Sequence, residues 1–183
     1  MKRFFELMDY ITMPGRWEVG EILAGDGSEP RLEGGILCER DDLACEDVDA
    51  GCALEYSRTS FFVPIATFPL AEAIARVAGP DVQCLPVKIA GQTGYKVLNA
   101  LRVIDCIDEE RSEFTKWTER DHRADKAGQY RSVPNMHLDT SRIPEDAHFF
   151  RLKGWLVALI VSEQVKAAME QVGCFGAKFQ DVT

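Results

Sequence analysis

Val82-Gln83-Cys84-Leu85-Pro86-Val87-Lys88-Ile89 and Tyr95-Lys96-Val97-Leu98-Asn99-Ala100-Leu101-Arg102-Val103-Ile104 are two apolar runs joined by Ala90-Gly91-Gln92-Thr93-Gly94. Runs of this composition, separated by a glycine-bearing connector, read as two strands of a hairpin. This hairpin is expected at the centre of the fold. Just before it the spacing predicts a helix over about 68–78. Thr67 or Phe68 opens it, Pro69 sits in the first turn where proline is tolerated, and Leu70, Ile74 and Val77 recur at helical spacing until Gly79-Pro80 ends it. A helix with one apolar stripe must lay it on a sheet.

Outward from this centre the chain is mostly strand-like. Towards the N-terminus, 4–8, 16–23, 52–56 and 60–65 read as strands, the last too apolar to face water, and Met13-Pro14-Gly15 makes a turn. Towards the C-terminus, 113–117, 133–138, 147–152, 155–161 and 174–179 are strand candidates. A second helix is predicted over about 162–172, with Ser162 as hydroxyl cap, Val165, Ala168, Met169 and Val172 on one face, and Gly173 past its end. The fold class is therefore α+β, mainly antiparallel strands with two principal helices. With no internal repeat and no dividing linker, 1–183 reads as a single domain, containing an acidic, glycine-rich loop region at about 24–50.

A chain of 183 residues with 46% hydrophobic and 28% charged side chains is globular, and buries about 70% of the surface its unfolded form exposes. Disorder, collagen and coiled coil are excluded. No run of about 18 uncharged apolar residues occurs, and the acids Glu6 and Asp9 come before any secretory core could form. We expect a soluble cytoplasmic protein with no membrane partner. The six cysteines, at 38, 45, 52, 84, 106 and 174, are then expected as free thiols. The seven-residue spacing of the first three suits no common zinc site, so no metal or other cofactor is expected.

Charge is distributed unevenly. Of the formal −9, residues 1–60 carry −8, and within them 29–55 hold nine acids against Arg31 and Arg40. Such a surface repels nucleic acid and anionic membrane, and speeds encounter with a basic protein surface. Glu39, Asp41, Asp42, Glu46, Asp47 and Asp49 are the candidate partner-binding residues.

Signatures of the common enzymes are missing: no Gly-x-Gly-x-x-Gly, Walker loop, Gly-x-Ser-x-Gly or His-Glu-x-x-His occurs. His122 falls in a charged loop, and His137 and His148 fall in strand candidates. Cys106 follows an apolar strand. Asp105, Asp108, Glu109, Glu110 and Glu113 are interleaved with Arg102, Arg111 and Lys116, as in a strand end laced with ion pairs. Trp17, Trp117 and Trp155 lie on separate strands, unlike a base-stacking platform. The expectation is no enzyme and no catalytic residue. Two alternatives stay open: a regulatory or scaffold module, and an enzyme using Cys106, His122 or the carboxylates of 105–113.

Met13-Pro14-Gly15-Arg16-Trp17, Val82-Gln83-Cys84-Leu85-Pro86-Val87, Leu98-Asn99, Asp105-Cys106-Ile107-Asp108-Glu109-Glu110-Arg111-Ser112-Glu113, Lys126-Ala127-Gly128-Gln129-Tyr130-Arg131, Leu159-Ile160-Val161-Ser162-Glu163 and Phe175-Gly176-Ala177-Lys178-Phe179 occur in that order. Together they resemble a bacterial immunity-protein family of polymorphic toxin systems, typified by a myxobacterial immunity domain, over about residues 3–182. The resemblance implies a non-catalytic cytoplasmic protein of interbacterial competition. Its partner would be a cognate toxin domain, often a nuclease, which it binds and neutralises. The family supplies no catalytic residues to carry over.

Overall fold

In a computed structural model of the chain, residues 2–30, 41–60 and 62–183 are described. Among these residues the order of elements is β1 (Phe4–Asp9), β2 (Glu18–Val19), β3 (Leu43–Cys45), β4 (Val48–Asp49), β5 (Tyr56–Arg58), β6 (Pro64–Thr67), α1 (Phe68–Ala78), β7 (Val82–Ile89), β8 (Gln92–Ala100), β9 (Arg102–Ile104), β10 (Glu113–Lys116), β11 (Tyr130–Asn135), β12 (Phe149–Leu152), β13 (Trp155–Ser162), α2 (Glu163–Val172) and β14 (Ala177–Asp181). The class is α+β, as the sequence pattern indicates.

Two five-stranded sheets carry the fold, in the orders β5-β6-β8-β7-β3 and β9-β12-β13-β1-β14. Neighbours are antiparallel except β3 beside β7 and β9 beside β12. The same arrangement occurs twice. In one sheet, hairpin β5-β6 leads through α1 to β7, and β8 fills the gap between β6 and β7. In the other, hairpin β12-β13 leads through α2 to β14, and β1 fills the gap between β13 and β14. The repetition is one of backbone path and leaves no trace as a sequence repeat. β8 reaches its slot through a short turn, whereas β1 comes from the opposite end of the chain, with Phe5 opposite Asp181.

Strand alternation explains the layering, because successive side chains point to opposite faces. From β7, Val82 joins Leu70, Ile74, Val165 and Met169 in a core between the helices and both sheets. Leu85, Val87 and Ile89 point the other way, packing with Trp17, Val19, Ile22, Leu43 and Ile65. A third apolar layer, including Phe4, Met136, Leu138, Phe150 and Ile160, covers the outer face of the second sheet. Ser162 caps α2 as its residue type predicts, its Oγ accepting the Val165 N–H at 3.3 Å.

Four sequence expectations are revised. The central turn is only Ala90-Gly91, with φ of +47° and +73°, the two-residue geometry that matches strand twist; β8 therefore starts at Gln92. The run 95–104 is also not one strand. It breaks at Leu101, whose N–H donates to the Asp81 carbonyl at 2.8 Å, and Arg102 continues in the other sheet. In 60–65, Phe62 stands 53% exposed with φ +61°, in a turn closed by the Val63 N–H on the Thr59 hydroxyl; Phe61 lies outside the described residues. The stretch 24–50, expected as loop, includes β3 and β4.

Candidate functional site

The acidic face is assembled by β2 and β4, which two glycines allow to come together. The Gly20 N–H donates to the Asp47 carbonyl at 2.7 Å, and a Cβ at Gly20 would stand 2.6 Å from that oxygen. A Cβ at Gly51 would overlap the Arg16 carbonyl. This pairing sets Glu18 directly opposite Asp49, an arrangement of like charges that weakens a strand pair. Glu46 and Asp47, both exposed, flank it. Nearby, Glu21 and Glu29 share a carboxyl–carboxyl hydrogen bond, which raises the pKa of Glu21 above the usual glutamate value.

Among the described residues Glu18, Glu46, Asp47, Asp49, Glu55 and Glu72 face no Arg or Lys in an ion pair. The later acids are treated differently: Asp81 and Asp146 face Arg102, Asp105 faces Arg142, Glu109 faces Lys116, Asp121 faces Arg131, and Glu170 faces Lys166. Among the described residues, the β2–β4 face thus carries acids outside any ion pair, whereas many later acids are paired.

The six acids singled out in the sequence do not stay together. Glu46, Asp47 and Asp49 lie on the β2–β4 face. Asp42, exposed, accepts the Gly25 N–H at 3.0 Å. Asp41 sits apart, beside Phe68, Lys88 and Lys96. Glu39 lies outside the described residues. Glu18, which completes the face, was missed because it falls outside the acid-rich window, although the alternation Trp17-Glu18-Val19 already aims it away from the core.

The histidines, Cys106 and the carboxylates of Asp105, Asp108 and Glu109 each have a structural setting. Cys106 is fully buried, and burial pushes its thiol up to about 12, far from a thiolate. His122 packs edge-on against Trp117, ring centres 5.3 Å apart, and His137 Nδ1 lies 3.3 Å from an Arg111 nitrogen. Asp108 accepts the Glu110 and Arg111 N–H groups; Glu109 accepts from Lys116 and Tyr130, each at 2.5 Å. His148 Nδ1 lies 2.9 Å from Ser162 Oγ, with Asp81 close by. That grouping superficially suggests a hydrolase triad, yet Ser162 is fully buried and capping α2, and Asp81 accepts the His148 backbone N–H.

His148 gives a pH dependence of stability. Burial, with Lys2 adding to it and Asp81 and Asp146 opposing, lowers its pKa. The unfolded chain, with an imidazole near 6.5, therefore binds protons more readily than the folded one. Its contribution is complete above about pH 6.5 and is lost as pH falls from there to the folded value. The thermal midpoint is expected to fall between pH 7 and pH 5, and to fall less in His148→Gln; equal slopes would exclude this role.

A family profile matches residues 90–183, that of the Immunity protein family (Imm11). The chain belongs to that family. The matched span is shorter than the 3–182 suggested by the motifs; it begins at the central turn and covers β8 to β14, so the acidic face lies before it. Nothing among curated proteins matches the chain. Among the described residues no helix is long and apolar enough to cross a membrane.

Proposed function

We propose that this protein is a non-enzymatic, cytoplasmic immunity protein that binds a cognate bacterial toxin domain and neutralises it by occupancy. Membership of the immunity family carries this reading. The acidic face supports it and suggests the partner's chemistry. A toxin acting on DNA, RNA or nucleotides must attract phosphate, and a surface that attracts phosphate is complementary to uncompensated carboxylates. Glu39, Asp41, Asp42, Glu46, Asp47 and Asp49 are proposed as part of the toxin-facing surface, with Glu18 added to them.

The test takes the gene directly upstream: where it encodes a protein with a variable C-terminal domain, that domain is co-expressed with this chain and scored by growth rescue and by co-purification, and the absence of such a domain would count against the reading. Rescue with a stable complex is expected. A complex without rescue would favour a regulatory or scaffold module. In Glu46→Lys/Asp47→Lys/Asp49→Lys, association with that domain should slow by about tenfold or more at low salt and lose much of its salt dependence. Unchanged association kinetics would remove this face from the interface.

A further inference from the structure

Five large apolar side chains stand in water at one end of the molecule: Ile11 is 76% exposed, Phe175 66%, Val172 49%, Phe68 45% and Tyr10 44%. Scattered exposed residues of this kind are ordinary, but a contiguous group marks a docking surface. These are contiguous. The Tyr10 N–H donates to the Gly176 carbonyl at 2.8 Å, and the Tyr56 N–H to the Phe175 carbonyl at 3.1 Å. Glu55, next in the chain, lines with Phe68, Val172 and Gly173 a shallow pocket of about 530 Å³.

The support beneath them is rigid. The turn carrying Tyr10 and Ile11 is clamped at its base by an ion pair between Asp9 and Arg16, 2.8 Å apart, with both side chains under 10% exposed. It is pinned again where the Cys52 N–H donates to the Gly15 carbonyl at 2.8 Å. Side chains held in place before binding lose little freedom when they dock, so more of their burial appears as affinity.

The surroundings are polarised. Lys96 lies over the Phe68 ring at 5.5 Å and Lys178 stands opposite Met8 on β14. Glu55 lines the pocket beside Phe68 and Val172, and the clamped turn leads on to Glu18 and Asp49, which face each other and form no ion pair among the described residues. An apolar centre with negative charge along one flank fits a protein surface having an apolar patch with Lys and Arg along one border.

We infer that Tyr10, Ile11, Val172 and Phe175 form the apolar centre of the toxin-binding surface, continuous with the acidic face through Glu55 and the 10–16 turn. This deepens the immunity reading and rests on it. Charge governs the approach, and the apolar centre governs how long the complex lasts.

The test measures binding kinetics of a toxin domain identified by the co-expression rescue above to the wild-type protein, to Ile11→Asp/Phe175→Asp and to the milder Ile11→Ala/Phe175→Ala. All are exposed positions, so unchanged melting temperatures are expected and verify folding. The aspartate pair should weaken binding about 100-fold or more and the alanine pair about tenfold, both through faster dissociation with association little changed. Wild-type affinity in both variants would overturn the inference and leave the immunity reading standing. No binding by the wild-type protein would overturn that reading and this inference with it.

Discussion

Asp81→Ala is expected to destabilise the protein by about 3–5 kcal/mol, mainly because it strands two backbone N–H groups and also removes one of the two carboxylates facing Arg102. At about 2–4 °C per kcal/mol for a chain of this size, the thermal midpoint should fall by roughly 6–20 °C. The Asp81 side chain is completely buried. Its carboxylate faces Arg102 and accepts the His148 N–H at 2.7 Å and the Phe149 N–H at 3.3 Å. It sits between α1 and β7 of one sheet and binds the start of β12 in the other, so its loss falls on the junction between sheets. Arg102 would keep Asp146, but the two N–H groups would be left in a dry place, at about 1–3 kcal/mol each. Asp81→Asn retains one acceptor oxygen and should lose less. Denaturant titration measures both; a loss under about 1 kcal/mol for the alanine variant would contradict this reading of the junction.

Gly176→Ala should have a comparable effect for a different reason. Gly176 has φ +95°, and a Cβ there would fall on the Tyr56 carbonyl oxygen and crowd Leu54. The backbone cannot yield easily, because the Tyr56 N–H is bonded to the Phe175 carbonyl and the Tyr10 N–H to that of Gly176. The left-handed conformation alone costs about 1–2 kcal/mol for alanine, and the overlap should bring the loss to about 3 kcal/mol or more. Gly128 supplies the control. Its φ is +86° but no atom lies within 4 Å of its would-be Cβ, so Gly128→Ala should cost only about 1–2 kcal/mol. Equal losses at the two positions would show that the approach of Tyr56 is not what demands glycine. Because Phe175 and Tyr10 hang from the same hydrogen bonds, Gly176→Ala should also speed dissociation from the toxin domain.

What could be read from the sequence follows from how local each cause is. Both helices were found because their stops are adjacent residues: Pro69 and Gly79 for α1, Ser162 and Gly173 for α2. β7 was read to its ends because its flanks are glycine and proline turns. The break at Leu101 was hidden, since Leu101-Arg102-Val103-Ile104 continues an apolar run and only Asp81, twenty residues earlier, turns it into the other sheet. The acidity of the first third was plain as composition. Which acids stand together was not, because Glu18 meets Asp49 through a pairing thirty-one residues apart. Tyr10, Ile11 and Phe175 were invisible as a group, because an apolar residue in a sequence looks the same whether it will be covered or left in water.

The place of β1 has a consequence for how the molecule is made. Phe4 pairs with Ser162 and Phe5 with Asp181, so β1 stays without these neighbours until both far later segments have been synthesised. The sheet built on β5 to β8 meets no such delay, since its strands arrive close together and can close while translation continues. The sheet of β5 to β8 should therefore form first, and the sheet built around β1 should close later.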